Sequence, residues 1–80
     1  MKDFNLTDRA EFLHDYAGAV NGNYLNYIYK NNIEDDNNII KQNRKRVVAL
    51  KNRAYYIEDE NEYNQIKGEL DQLNKELPNE

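Results

Sequence analysis

Eighty residues with no cysteine, three glycines and one proline suffice for one small domain and are too few for two. Fifteen acids against eleven bases leave a formal charge of −4, which disfavours a general nucleic-acid binder, and without cysteine there is neither a disulfide frame nor thiol chemistry. Apolar residues make up 39% and charged residues 32%, so the composition is that of a folded chain rather than a disordered one. A core of this size seldom gives more than about 3–5 kcal/mol of net stability, which makes a partner or a second copy an expected source of more.

The start, Met1-Lys2-Asp3-Phe4-Asn5-Leu6, lacks the apolar run of a signal peptide, and nothing later approaches the length of a membrane span. The expected location is therefore cytoplasmic. A first helix is predicted over 7–20, with Thr7 as its cap and Asp8 and Glu11 at its positive end. Leu6, Ala10, Leu13, Ala17 and Val20 form its apolar row, widened by Phe12 and Tyr16. Asn21-Gly22-Asn23 then predicts a break, because Gly and Asn tolerate left-handed backbone angles. The row nevertheless stays in phase through Tyr24 and Tyr27, as a bent but continuous helix would require. A second, short helix is expected over 23–30, followed by a polar connection from 31 to 38 in which Asp36 or Asn37 caps the next helix.

The most regular stretch runs from Asn43 to Leu77. Asn43, Val47, Leu50, Ala54 and Ile57 recur at helical steps, and Tyr63, Ile66, Leu70, Leu73 and Leu77 do the same out of phase with them. The phase change at Glu58-Asp59-Glu60-Asn61 predicts an antiparallel helical hairpin of about 37–57 and 60–77. Asp59 and Glu62 stand at capping-box spacing, and Pro78 ends the second arm. Folding at this turn sets Ile57 against Tyr63, Ala54 against Ile66, Leu50 against Leu70, Val47 against Leu73 and Asn43 against Leu77. The same register brings Arg53 towards Glu69 and Arg46 towards Glu76. Asn43 is expected at the open, partly wet end of the hairpin, or else pairing with another Asn43 in a dimer. The predicted fold is all-α: this hairpin packed with one or two N-terminal helices in a single domain, residues 1–80.

Few residues suggest chemistry. There is no serine, and the single threonine is assigned to a cap. Serine and cysteine nucleophiles are thus excluded. His14 is the only histidine, with no ligand one turn away, and is expected to be solvated. The three glycines form no phosphate loop, and the acidic runs match no calcium-loop spacing. The sequence therefore predicts no enzyme, no cofactor and no metal.

What remains is a basic stretch: Lys41 to Arg53 holds six bases and no acid. Lys41, Arg44, Val48, Lys51 and Tyr55 share one helical row, with Lys67 of the last helix expected beside Lys51. Lys41, Arg44, Lys51, Tyr55 and Lys67 are the candidate binding residues, for a protein partner or, less favoured, for nucleic acid through 41–55. A structural alternative is that Asp8, Glu11 and Asp15 of the first helix pack over these bases.

The expected role is protein–protein interaction without catalysis, as an inhibitor, adaptor or assembly factor, with homodimerisation possible. Alternatives are a small nucleic-acid-binding regulator and a structural coiled-coil oligomer. Asparagine, Tyr, Ile and Lys usage follows AT-rich codons. Together with size and acidity, that composition resembles small phage-encoded accessory or inhibitor proteins as a group, acting in a bacterium or a phage-infected host.

Overall fold

The computed structural model describes residues 5–78. They form three helices, α1 (Leu6–Lys30), α2 (Ile39–Arg53) and α3 (Glu60–Lys75), with a short 3₁₀ turn at Ala54–Tyr56 closing α2. The fold is all-α, and no helix among the described residues is long and apolar enough to cross a membrane.

Asn5 caps α1. Its side-chain oxygen accepts the Asp8 backbone N–H at 3.0 Å, so the cap lies two residues ahead of Thr7, where the sequence placed it. The helix then runs for 25 residues without a break. No described glycine has positive φ, and Asn21-Gly22-Asn23 is helical throughout. Energetics favour this outcome. A glycine in a helix interior costs about 1 kcal/mol relative to alanine. Burying Tyr24 and Ile28 on the same stripe as Leu13 and Val20 returns roughly 1.5–3 kcal/mol for each large side chain. The buried row is Ala10, Leu13, Ala17, Val20, Tyr24 and Ile28. Ile28 takes the place expected for Tyr27, while Leu6 and Phe12 stay exposed.

The stop comes at Asn31-Asn32-Ile33. Asn32 adopts φ of 52°, the left-handed region that asparagine tolerates. The Ile33 N–H reaches back to the Ile28 carbonyl at 3.1 Å and the Asn32 N–H to the Tyr29 carbonyl at 3.3 Å, a Schellman closure. Ile33 packs on the core as the motif's apolar residue.

The connection to α2 is a turn rather than a first helical coil. The Asp35 side chain accepts the Asn37 N–H and its carbonyl accepts the Asn38 N–H, while Asn38 caps α2 by accepting from Ile40 at 2.8 Å. Helix α2 therefore starts at Ile39, not 37, and the cap is neither Asp36 nor Asn37. Its last turn tightens to 3₁₀ because Ile57 is already extended, at ψ of 144°. The Asp59 cap on α3 holds as expected: Asp59 accepts the Glu62 N–H at 2.9 Å, and the Glu62 carboxylate reaches back to the Glu58 N–H at 3.2 Å. Helix α3 closes at Lys75, two residues short of the predicted end, ahead of Pro78.

Helix α1, not the hairpin, organises the packing. It lies along both other helices, antiparallel to α2 (His14 meets Tyr55, Asn21 meets Arg44) and parallel to α3 (Phe12 meets Tyr63, Asn23 meets Asn74). Leu13, Ala17, Val20 and Tyr24 fill the groove beside Val47, Leu50, Ala54, Ile66 and Leu70. The fully buried Tyr24 donates its hydroxyl to the Leu73 carbonyl, tying α1 to the last turns of α3. Tyr16 makes the matching tie one stage earlier, to the Asp71 carboxylate.

On the third seam, α2 and α3 run antiparallel, but the arginines choose different partners from those expected. Arg46 forks onto Glu69 at 2.7 and 3.0 Å, and Arg53 lies 4.0 Å from Glu62. Asn43, half-buried at the open end of the seam, takes Glu76 at 3.2 Å. With Glu76 so occupied, each arginine pairs with the glutamate seven residues earlier in α3.

Candidate functional site

Four of the five candidate residues lie on the α1–α2 seam. Lys41 bonds Asp36 at 3.1 Å and the Glu34 carbonyl at 3.3 Å, and this lysine holds the Asp36 carboxyl below its ordinary range. Arg44 is half-buried, with its Nε donating to Asn21 Oδ1 at 3.1 Å. The aliphatic stem of Lys51 passes 4.0 Å from the point where a Cβ on Gly18 would stand. Tyr55 lies over His14 with ring centres 4.6 Å apart. His14 is therefore half-covered and beside Asp15, at 4.0 Å, rather than freely solvated.

The fifth, Lys67, is elsewhere. Its Nζ is 3.2 Å from Asp71 and 5.8 Å from the Tyr16 ring centre, on the α1–α3 seam. The expected contact with Lys51 does not form, because α1 meets Lys67 on one flank and Lys51 on the other. The sequence paired α2 with α3 face to face and packed the N-terminal helices on that hairpin, without setting α1 between Lys51 and Lys67.

Asp8, Glu11 and Asp15 do not cover the bases. Facing them, α1 presents His14, Gly18 and Asn21, a row at helical spacing without a carboxylate, while the three acids stand exposed on its outer side. The bases of α2 thus divide by partner. Lys41, Arg46 and Arg53 have carboxylates. Arg44 has only the neutral Asn21 among the described residues.

Beyond Arg44, towards the α1–α2 turn, the seam opens into a cleft of about 390 Å³. Leu25, Ile28 and Ile33 supply apolar lining, Tyr29 stands at its edge, and Arg44 and Lys45 supply positive charge. Lys41, Asp36 and Glu34 also line it, the first two as an ion pair. Sequence reading found Arg44 and missed Asn21, Leu25, Tyr29 and Lys45. Asn21 was assigned to a break, although an unbroken helix sets it and Leu25 on the stripe of His14 and Gly18.

The α1–α3 seam is polar and aromatic. Burial, with Asp71 beside it, pushes the Tyr16 hydroxyl up to about 12, and the hydrogen bond from Tyr16 pulls the Asp71 carboxyl down. Burial likewise raises Tyr24. Among the described residues, no group of three or more His, Asp or Glu side chains converges as a metal site would. Both tyrosines are spent on structural bonds, so neither offers a free acid or base. Comparison with protein-family models, with curated proteins and with solved structures gives no significant match.

Proposed function

We propose that this chain is a non-catalytic binding protein, an inhibitor, adaptor or assembly factor whose partner is another protein. The observation that supports this reading is the apolar surface left outside an already filled core. Tyr56 is 80% exposed, Tyr29 76% and Ile39 60%, although no buried side-chain nitrogen or oxygen among the described residues is unsatisfied. All three stand outside the buried core, and aromatic residues standing out from a surface are what protein interfaces bury. The resemblance in composition to small phage-encoded proteins fits such a role in the cytoplasm of a bacterium or a phage-infected host.

Nucleic-acid binding through α2 is the weaker reading. Three of its six bases are neutralised by carboxylates, and Glu34 lines the same cleft as Arg44 and Lys45. A phosphate backbone needs an open run of cations.

The test uses the chain carrying Tyr29→Glu, Ile39→Glu and Tyr56→Glu together. Exposed substitutions of this kind each change stability by no more than about 0.5 kcal/mol, so the triple variant stays folded. A protein retained from the source cell by the wild type, identified by mass spectrometry and purified, should bind the triple variant at least about tenfold more weakly. Equal affinity for both chains would overturn the reading. So would tighter binding of oligonucleotides that falls steeply with salt.

A further inference from the structure

We propose that the cleft at the α1–α2 turn is a docking site for an acidic peptide of the partner, one aspartate or glutamate carboxylate on Arg44 beside an apolar side chain on Leu25, Ile28 and Ile33. This rests on the binding reading above and gives that partner a chemistry.

Arg44 carries the argument. Of the three arginines in α2 it alone has no carboxylate among the described residues, and its one hydrogen bond there, through Nε to Asn21, is to a neutral amide. That bond fixes the guanidinium without discharging it and leaves both Nη groups for a ligand. A planar fork of this kind matches a carboxylate in bidentate fashion. The group is half-buried, so a pair formed there is screened less than one on the open surface.

The surroundings narrow the ligand. The cleft volume of about 390 Å³ is within the range of ordinary ligand sites and takes one or two side chains. Its apolar lining favours a peptide with Leu, Ile or Val next to the acid. Lys45, exposed in the lining, adds a second positive charge that also acts on Asp36, whereas Lys41 is bonded to Asp36 directly. Glu34, also in the lining, repels any anion and offsets one of these positive charges. The balance suits a single carboxylate and disfavours a chain of phosphates. Tyr29 at the edge supplies an aromatic wall for the peptide to lie against.

The experiment titrates the full ¹⁵N-labelled chain with N-acetyl-Leu-Glu-amide, N-acetyl-Leu-Gln-amide and a short single-stranded oligonucleotide, read by NMR shifts. The Glu probe should give saturable shifts at the Asn21, Leu25 and Ile33 amides and at Arg44 Nε, with Kd of about 1 mM for so small a ligand. The Gln probe should bind at least about tenfold more weakly. Arg44→Gln should abolish the response, and Arg44→Lys should keep a weakened part of it, charge without the fork. Should Arg44→Gln fail to fold, Asn21→Ala replaces it; freeing the guanidinium should weaken the Glu probe several-fold. No saturable shift, equal binding of Glu and Gln probes, or tighter binding of the oligonucleotide at these residues would overturn the proposal. The two readings fail separately. A purified partner that binds the Arg44→Gln chain unchanged removes the cleft and leaves the binding role standing.

Discussion

Gly22→Ala separates a continuous α1 from two helices joined by a turn, because the two arrangements give opposite signs. In the structure Gly22 is helical, without positive φ, and a Cβ built on it meets nothing within 4 Å. Alanine there removes backbone freedom from the unfolded chain and adds no clash, so it should stabilise by about 0.5–1 kcal/mol. For a domain of this size that is a rise in Tm of about 2–8 °C, since 1 kcal/mol corresponds to about 4–8 °C. Had the chain reversed at Asn21-Gly22-Asn23 with Gly22 left-handed, the same methyl group would cost about 1–2 kcal/mol and lower Tm. Paired thermal and urea melts decide it, with the urea m-value checked for constancy so that the change belongs to the folded state and not to the compactness of the unfolded one. A destabilised Gly22→Ala chain would refute the continuous helix and, with it, the placement of Asn21 beside Arg44.

Tyr24→Phe should cost about 0.5–1.5 kcal/mol in a urea melt, the worth of the bond to the Leu73 carbonyl, which keeps the Glu76 N–H as a second donor. A double-mutant cycle of Arg46→Ala and Glu69→Ala should give a coupling of about 0.2–1 kcal/mol that fades with salt, and Arg46 with Glu76 should give none. The tie between Tyr16 and Asp71 should appear in stability against pH. Because folding lifts the Tyr16 hydroxyl from 10.0 to about 12, its contribution is whole below pH 10 and disappears as pH rises towards 12. The lowered Asp71 carboxyl acts in the opposite direction, contributing above its unfolded value of 3.8 and ceasing as pH falls below it. Tyr16→Phe should flatten the alkaline limb, as measured by chemical denaturation at stepped pH.

Helical periodicity was legible wherever the buried stripe was strong. Val47, Leu50, Ala54 and Ile57, and Tyr63, Ile66, Leu70 and Leu73, are buried as the spacing required; the chain reverses at Glu58-Asp59, inside the expected Glu58–Asn61 stretch, and the Asp59 cap is where it was expected. The failures share a cause: local signals were weighed without the tertiary term that overrode them. Asn21-Gly22-Asn23 has turn chemistry, but Tyr24 and Ile28 bury in phase behind it and hold the helix open-ended until Asn32 can adopt its left-handed angle. The hairpin was expected to pack with one or two N-terminal helices, but its register was set from the α2 and α3 stripes alone, without α1 in the groove between them. Lys67 was therefore assigned to the wrong flank, and Arg46 and Arg53 to the wrong glutamates. Arg44 was legible as a basic-row residue, but its neutral anchor was not, since Asn21 faces it only in an unbroken α1.

The organisation around α1, and the cleft it builds with α2, can be examined in one NMR sample mixing ¹³C,¹⁵N-labelled with unlabelled chains. Filtered NOE spectra should place the Tyr24 ring against Leu73, His14 against Tyr55 and Phe12 against Tyr63 within the labelled chain, with uninterrupted helical amide contacts from Asn21 to Asn23. Finding those ring contacts only between labelled and unlabelled chains would mean that the helices exchange between copies as a coiled-coil oligomer. A gap in the amide contacts at Gly22 would mean that α1 is two helices; either result contradicts the fold described above.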